Sequence, residues 1–373
     1  MIKKSLLKLA SLTAVSSLWL AACAQAPTAP SSSNDTAPAS SATGGQTAAS
    51  SGKFKACMVS DFGGFDDKSF NETSYKGLLQ AKEQLGIETA QIESKQESEY
   101  ARNVQSMIDA RCGVIVTVGF ALANATEAAA KQNPDTKFAI VDNNSFDGVS
   151  NAKGLIFNTA EPAFMAGDVA ASLTQTGKVG TFGGANYPTV SIFMDGFAQG
   201  VEYYNQAKGK SVQVLGWDRS SKDGQFIGGN DPFGDQTGGK NTANTLIAQG
   251  ADIILPVAGP AGLGALAAVK ESNGKVNAIW VDTDGYVSAP EYKDVIITSI
   301  EKGMDVAVLE IIKAAKDGTF SADPYVGDLK NKGVDLAEFH DFDSKVSSET
   351  KSELDQIRAD IVSGKIVVDT PVK

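Results

Sequence analysis

The residues best suited to bind a ligand follow predicted β-strands, at the strand ends where open α/β sheets hold their ligands. The loop at 61–71 follows a strand at 54–60 and contains the carboxylate of Asp61, two glycines, the ring of Phe70 and the amide of Asn71. Such a loop can bond the edge of a flat polar ligand while the ring stacks on its face. The alternative is an acidic loop in which Phe70 is a core residue.

Carboxylates follow two further predicted strands. Asp142 comes directly after a strand at 137–141, and Asp284 closes the sequence Val-Asp-Thr-Asp after a strand at 278–281. Carboxylates at such ends suit recognition of vicinal hydroxyl groups on a sugar, because each carboxylate accepts hydrogen bonds at two oxygens. For either residue alone, helix capping is the alternative.

Two glycine-containing loops complete the candidate site. The loop at 258–264 opens a helix and includes Gly259, but it lacks a Walker lysine and loses one amide at Pro260. It therefore favours a neutral polar ligand over a phosphate. The loop at 230–235 carries spaced carboxylates and Phe233, without the twelve-residue calcium pattern. We interpret it as a ligand-facing loop with Phe233 as a second aromatic wall.

The elements that must position these residues are alternating strands and helices. From residue 53, continuously apolar runs such as 114–118 alternate with helical stretches, including a helix at 69–85 that a capping box at Ser69 and Glu72 would open. Such βα units predict a doubly wound parallel sheet, and the pattern begins again at about residue 162. We therefore predict an α/β protein of two doubly wound lobes with a multi-strand hinge and the ligand in the cleft. A single Rossmann enzyme with an extra domain is the structural alternative.

The predicted lobe boundaries follow from this repeat. The first lobe comprises 53–157 plus 286–320, because a strand at 295–299 and a helix at 304–317 would complete its sheet. The second lobe comprises 158–285 plus 321–373.

The amino-terminal segment predicts a lipid anchor. Three lysines precede an apolar run that is too short to span a membrane, and Leu-Ala-Ala stands directly before Cys23. This is the pattern of a bacterial lipoprotein signal over 1–22, with Cys23 acylated after cleavage. Residues 24–52 are almost entirely small or polar and are predicted to be a flexible linker. We expect the protein to be lipid-anchored at the cell membrane and to face the outside of the cytoplasm, on the extracellular or periplasmic side.

Charge and rare residues exclude several classes of protein. The formal net charge of −11 becomes −14 when the three lysines of the signal are removed, so nucleic acid is a poor partner. His340 is the only histidine and lies in a polar stretch, which argues against a His-based metal site or a catalytic triad and favours a surface position. Export permits a disulfide between Cys57 and Cys112, but their apolar surroundings favour two free core cysteines.

The sequence resembles the basic membrane protein family of lipoproteins, the purine nucleoside receptor A-like substrate-binding proteins. The resemblance runs from about residue 53 to the C-terminus, and its most specific part is the string Asp-Asp-Lys-Ser-Phe-Asn at 66–71. Further matches lie at 118–120, 164–167, 183–184, 196–200, 258–259, 281–284 and 299–305. The resemblance implies the type I periplasmic-binding-protein fold and delivery of nucleosides to an ABC importer.

The resemblance also implies residue roles. Phe70 would form one face of a sandwich around a purine, and Asp61 and Asn71 would bond the edge of the base. The ribose would be held by Asp142, Gly259, Asp284 and Lys302. The second stacking ring would be Phe233, with Phe226 and Phe193 as alternatives.

We therefore expect a monomeric binding protein, not an enzyme, with no cofactor and no metal. Its expected partners are a nucleoside, with purines favoured, an ABC-transporter permease, and the membrane through the lipid. The alternatives are a calcium-dependent nucleoside hydrolase, and a sugar or peptide receptor or sensor that serves no transporter.

Overall fold

The structure, a computed structural model, describes residues 53–372. The predicted signal peptide and linker, and Cys23 with them, lie outside these residues. None of the helices that the structure describes is both long and apolar enough to cross a membrane.

Strands and helices alternate along most of the described chain, as the sequence predicts. The strands are β1 (Lys55–Ser60), β2 (Glu88–Ile92), β3 (Val114–Val118), β4 (Lys137–Val141), β5 (Ala152–Phe157), β6 (Lys178–Gly183), β7 (Gln213–Leu215), β8 (Trp217–Asp218), β9 (Asp223–Gly224), β10 (Ile253–Val257), β11 (Asn277–Asp282), β12 (Ile296–Lys302), β13 (Tyr325–Gly327) and β14 (Val334–Leu336). The α-helices are α1 (Phe70–Leu85), α2 (Tyr100–Asp109), α3 (Ala123–Gln132), α4 (Ala160–Leu173), α5 (Pro188–Lys208), α6 (Gln236–Ala248), α7 (Ala261–Glu271), α8 (Gly285–Ser288), α9 (Met304–Lys316) and α10 (Ser348–Val362). Short 3₁₀-helices cover Glu97–Glu99, Phe120–Leu122, Pro290–Tyr292 and His340–Lys345.

Two six-stranded sheets form two lobes. The first has the strand order β13-β5-β4-β3-β1-β2 and is parallel throughout. The second has the order β14-β12-β11-β10-β6-β7 and is parallel except for β14, which runs antiparallel to β12. The predicted α/β fold class with two doubly wound lobes is confirmed.

Side chains alternate between the two faces of each sheet, which explains why the strands are apolar throughout. In β10, Ile253, Leu255 and Val257 pack in one hydrophobic cluster with α4 and α5, while Ile254 packs in another with α6 and α7. The first sheet is covered in the same way by α1 and α9 against β1 to β4, and by α2 and α3 against β1 to β5. Burial on both faces is the physical reason for the continuous apolar runs.

The chain crosses between the lobes three times, at 158–159, at 303 and at 328–333. The crossings lie side by side, because the Asn158 N–H donates to the Gly327 carbonyl at 2.7 Å and the Gly303 N–H donates to the Gly333 carbonyl at 2.8 Å. A Cβ on Gly333 would lie 2.3 Å from the Cα of Gly327, so this approach requires glycine. The crossings together form a three-segment hinge.

The structure differs from the predicted lobe boundaries at two strands. The strand predicted at 295–299 is β12, which pairs with β11 and β14 in the second sheet, whereas 286–320 was assigned to the first lobe. Conversely, β13 pairs with β5 in the first sheet, whereas the sequence predicts residues 321–373 in the second lobe. The helix predicted at 304–317 does pack on the first lobe, since α9 lies against α1, β3 and β4.

Cys57 and Cys112 form a disulfide, with Cα atoms 5.9 Å apart and a sequence separation of 55. The preference for two free cysteines was therefore wrong, although both residues are buried in an apolar cluster as expected. The bond ties β1 to the turn before β3 and closes the βαβα unit between them.

Candidate functional site

A cavity between the lobes collects most of the predicted site residues. We call it the cleft cavity. It is lined by Asp61, Phe62, Gly63, Asp67, Phe70, Asn71, Gly119, Phe120, Ala121, Asp142, Tyr187, Thr189, Val190, Phe193, Phe233, Val257, Ala258, Gly259, Pro260, Val281, Asp282 and Lys302. Seven of the eight predicted ligand-binding residues are present, and Asp284 is not.

The first polar group in the cleft cavity joins Asp61 to Asn71. The Asn71 side-chain amide donates to the Asp61 carboxylate at 2.9 Å and to Asp67 at 3.2 Å. Both amide hydrogens are thus used, while the Asn71 carbonyl oxygen is buried and has no partner among the described residues. Burial raises the pKa of Asp61 to about 7, although the bond from Asn71 opposes this rise. The pair offers a ligand one fixed acceptor and one carboxyl group that can be neutral or ionised near pH 7.

Asp67, not Ser69, organises the start of α1. Its carboxylate accepts hydrogen bonds from the backbone N–H groups of Ser69, Asn71 and Glu72, at 2.8 to 3.0 Å. Ser69 makes no capping bond, so the predicted capping box is wrong. The Ser69 hydroxyl instead donates to Asp282 at 2.7 Å and so joins the two lobes.

The Asp61 carboxylate also depends on a close backbone approach. Gly119, directly after β3, has φ +115°, and a Cβ there would lie 2.3 Å from an oxygen of Asp61. A side chain at this position would clash with the carboxylate and force a conformation that L-residues rarely adopt. Glycine at 119 therefore leaves room for Asp61 in the cavity wall.

The second polar group is a buried cation between two carboxylates. The Lys302 ammonium lies 2.7 Å from both oxygens of Asp142 and 3.9 Å from Asp282. All three residues are less than 9 % exposed. Burial raises the pKa of Asp142 and of Asp282, and attraction to Lys302 opposes the rise in both. Asp142 belongs to the first lobe, while Asp282 and Lys302 end strands of the second.

The two carboxylates occupy equivalent positions in the lobes. Asp142 follows β4 with φ 66°, and Asp282 ends β11 with φ 71°. Both conformations are left-handed, which costs free energy for any residue other than glycine and is least costly for Asn and Asp. Strained backbone is concentrated at functional sites, and here it aims both side chains at one lysine.

Aromatic rings form the remaining walls. The Lys302 ammonium lies 4.8 Å from the centroid of Phe70 and 5.6 Å from that of Phe193. Across the cavity Phe233 packs against Tyr187, which in turn packs against Phe120, with centroids 5.9 and 5.3 Å apart.

Of the three rings considered for the second wall, Phe233 and Phe193 line the cleft cavity. Phe226 does not line it and packs edge-on against Trp217, with the ring centroids 6.4 Å apart.

The structure places Asp284 outside the cleft cavity. Its carboxylate accepts from the Tyr286 N–H at 3.0 Å, capping α8, and lies 2.7 Å from the His340 ring nitrogen. The left-handed turn at Asp282 explains the difference, because it puts that carboxylate, two residues earlier, beside Lys302. His340 is half-buried rather than fully exposed, and its ring stacks on Tyr286 at a centroid distance of 4.1 Å.

The carboxylates of the loop at 230–235 accept hydrogen bonds from nearby backbone N–H groups. Asp231 accepts from the Gly234 N–H at 3.0 Å, and Asp235 accepts from the Gly238 N–H at 2.9 Å, capping α6. Across residues 53–372, no group of three or more His, Cys, Asp and Glu side chains is arranged to hold a metal ion. The loop instead carries Phe233 to the cavity.

Several residues of the cavity wall are not among those predicted from the sequence. Phe120 follows β3 and Tyr187 follows β6, so their position after strands was a usable signal. Asp282 was visible as the first carboxylate of Val-Asp-Thr-Asp, but the sequence does not show which of the two aspartates faces the cleft.

Comparisons with known proteins agree with this architecture. Residues 54–370 match the family described as ABC transporter substrate-binding protein PnrA-like. The chain is 32 % identical over 320 residues to basic membrane protein A of Borreliella burgdorferi, and the alignment covers 84 % of this chain and 87 % of that protein. It is 30 % identical over 331 residues to the ABC transporter nucleoside-binding protein BmpA of Lactococcus lactis, over 84 % of this chain and 88 % of that protein.

A solved structure supports the same assignment. A crystal structure of an ABC transporter solute-binding protein from Aeropyrum pernix aligns with a TM-score of 0.76 at 26 % identity, over 85 % of this chain and 94 % of the other. Because the family match covers both lobes and every wall of the cleft cavity, the chain belongs to the PnrA-like family of ABC transporter substrate-binding proteins.

Proposed function

We propose that this protein captures nucleosides, with purine nucleosides favoured, and delivers them to the permease of an ABC importer. The observation that carries the proposal is the Lys302 ammonium held between Asp142 and Asp282 beside the ring of Phe70. A ribose could donate its vicinal hydroxyls to these carboxylates and accept from the lysine, while its base lies on the ring. The nucleoside-binding relative from Lactococcus lactis supports the same ligand class.

The other end of the cavity suits a base. The Asn71 carbonyl oxygen can accept from a ring or amino N–H, and Asp61 can donate or accept according to its protonation. Phe70 and Phe233 or Phe193 offer aromatic faces, and a two-ring purine covers more of such a face than a pyrimidine does. Stacking on an aromatic side chain contributes roughly 1–3 kcal/mol per base.

Binding requires movement. The cleft cavity has about 70 Å³ of free volume between the rings and the Lys302 side chain that line it, which is less than a nucleoside needs. We expect the three-segment hinge to open for the ligand and close on it, as in other clefts that close around a substrate.

Isothermal titration calorimetry with adenosine, guanosine, inosine, uridine, free adenine and ribose tests the proposal. We expect the purine nucleosides to bind most tightly, and recovery of intact nucleoside after incubation with calcium to distinguish binding from hydrolysis. Asp282→Asn should weaken nucleoside binding at least tenfold, while Asp284→Asn, two residues away and outside the cavity, should leave it unchanged. Absence of nucleoside binding, or tighter binding of free sugars, would overturn the proposal.

We further propose that Cys23 is acylated and anchors the protein to the outer face of a membrane. The support is the Leu-Ala-Ala-Cys sequence behind a basic and apolar leader. Cys23→Ser should leave nucleoside affinity unchanged and abolish labelling with a radioactive fatty acid. If a chain beginning at Lys53, exported by an unrelated cleavable signal, still sediments with membranes, another contact holds it there.

A further inference from the structure

A second cavity adjoins the cleft cavity on the side of the hinge. This hinge-side cavity has a volume of about 310 Å³. It shares Phe120, Asp142, Thr189 and Lys302 with the cleft cavity, so these four residues form a common wall of the two spaces. A group attached to a ligand in the first cavity could therefore extend into the second.

The walls of the hinge-side cavity are mostly apolar, and the charged side chains among the lining residues are the paired Lys302 and Asp142. Phe157, Ile156, Ile192 and Pro188 supply apolar surface, and Asn143 and Asn144 are among the uncharged polar groups. The one cation in the wall, Lys302, is already bonded to Asp142. A charged group such as a phosphate would lose water there without gaining a free cation, whereas an uncharged group would not.

The carboxyl-terminal segment closes one wall of the cavity. Pro371 and Val372 line it, and the segment is held by two reciprocal bonds, from the Asp369 N–H to Gln199 at 2.8 Å and from the Gln199 amide to the Asp369 carbonyl at 2.9 Å. The cavity is thus a defined space with protein on several sides.

We infer that the hinge-side cavity receives an uncharged substituent on the 5′-carbon of the bound nucleoside, such as an ether or thioether. This rests on the proposed function, in which the carboxylates beside Lys302 hold the vicinal hydroxyls of the ribose. The 5′-carbon is then the exocyclic position left to extend past Lys302. An alkyl tail carried on an oxygen or sulfur next to it can pack on Phe157 and Ile156.

Calorimetry with a 5′-alkylthio series of adenosine tests this inference. We expect 5′-methylthioadenosine to bind at least as tightly as adenosine, and each further methylene up to butyl to raise the affinity about threefold to fourfold as it is buried. Adenosine 5′-monophosphate should bind at least a hundredfold more weakly. A 3′-O-methyl adenosine serves as a control of similar size whose methyl group would meet the carboxylates.

Filling the cavity provides a second test. Ile156 is half-buried and lines the hinge-side cavity but not the cleft cavity, so Ile156→Trp should weaken the butylthio ligand at least tenfold while adenosine binding stays within threefold. Ile247→Trp, a half-buried isoleucine on α6 that lines neither cavity, is the matched control and should change neither affinity.

The outcomes separate this inference from the proposed function. Tight adenosine binding with a tenfold or greater loss on adding the 5′-methylthio group would overturn the inference and leave the proposed function intact. So would equal weakening of adenosine and the butylthio ligand by Ile156→Trp. If adenosine and the other nucleosides fail to bind at all, the proposed function fails and the inference with it. The chain-length series on the unaltered protein decides the question even if Ile156→Trp does not fold.

Discussion

Replacement of Lys302 by methionine is the sharpest test of how the charges in the cleft are balanced. Methionine keeps an unbranched side chain of similar length and removes the charge. It would leave Asp142 and Asp282, 8 % and 7 % exposed, facing each other without the ammonium that lies 2.7 Å from Asp142. An uncompensated buried carboxylate is costly, and breaking a buried ion pair destabilises a protein by about 3–5 kcal/mol.

The expected loss depends on pH. Burial already raises the pKa of both carboxyl groups while Lys302 is present, and its removal raises them further. A carboxyl group whose folded-state pKa is raised contributes stability at low pH, and this contribution is lost as pH rises through the folded pKa. Lys302→Met should therefore lower the free energy of unfolding by about 3–5 kcal/mol at pH 8, and by clearly less at pH 5, where the carboxyl groups can be protonated.

Urea unfolding without ligand at both pH values measures these changes. Combining Lys302→Met with Asp142→Asn removes the nearer of the two uncompensated charges and should recover more than half of the loss at pH 8. Lys313→Met is the control, because the Lys313 ammonium lies 2.6 Å from Asp317 and both side chains are exposed, at 60 % and 37 %, where an ion pair contributes little to stability. A loss below 1 kcal/mol for Lys302→Met, or an equal loss in the double variant, would refute this electrostatic account.

Three further predictions follow from the site and the core. Phe70→Ala should weaken purine nucleoside binding by roughly 1–3 kcal/mol in calorimetry, with little change in melting temperature. Phe226→Ala, outside the cavity, is the control and should leave the affinity unchanged. A large fall in stability for Phe70→Ala would instead indicate that Phe70 is a core residue. Asp168 is fully buried with both carboxylate oxygens unpartnered among the described residues, and burial raises its pKa to about 7. The stabilising contribution of the protonated Asp168 is lost as pH rises toward 7. Asp168→Asn should therefore remove about 2–3 kcal/mol of the pH dependence of the free energy of unfolding between pH 5 and 7, and none above pH 8. Identical pH profiles for the two proteins would contradict this. Adenosine 5′-monophosphate should bind much more weakly than adenosine, because Asp142 and Asp282 repel the phosphate; equal affinities in calorimetry would exclude that arrangement.

The helices and strands were more predictable from the sequence than the elements against which they pack or pair. Helix α9 and the strand before it were both expected, but the strand was placed in the wrong sheet. An apolar run such as Ile-Ile-Thr-Ser-Ile at 296–300 fits the interior of either sheet, because both sheets are covered on both faces. The choice between them is made by tertiary packing, here by pairing with β11 and β14, and local sequence does not record it.

The sequence was enough to predict which loops form the site, but not always which residue of a loop faces the cavity. Loops after β1, β3, β4 and β11 meet at one edge of their sheets, so their polar residues were expected together. Asp282 and Asp284 have the same chemistry, and only the left-handed backbone at Asp282 determines which carboxylate faces Lys302. The disulfide was equally hidden, since Cys57 and Cys112 become neighbours only through the pairing of β1 with β3.

In the proposed function, the position of Lys302 connects ligand recognition to closure of the lobes. It is the last residue of β12, directly before the crossing at Gly303, and its bond to Asp142 joins the second lobe to the first. A ribose that bonds to these groups must replace a direct bond between the lobes with bonds through the ligand. Affinity then reflects the difference between the two sets of bonds rather than their sum, which favours ligands that satisfy both carboxylates at once. A single hydroxyl would break the pair and form fewer new bonds, so we expect the site to favour a vicinal diol on one rigid sugar.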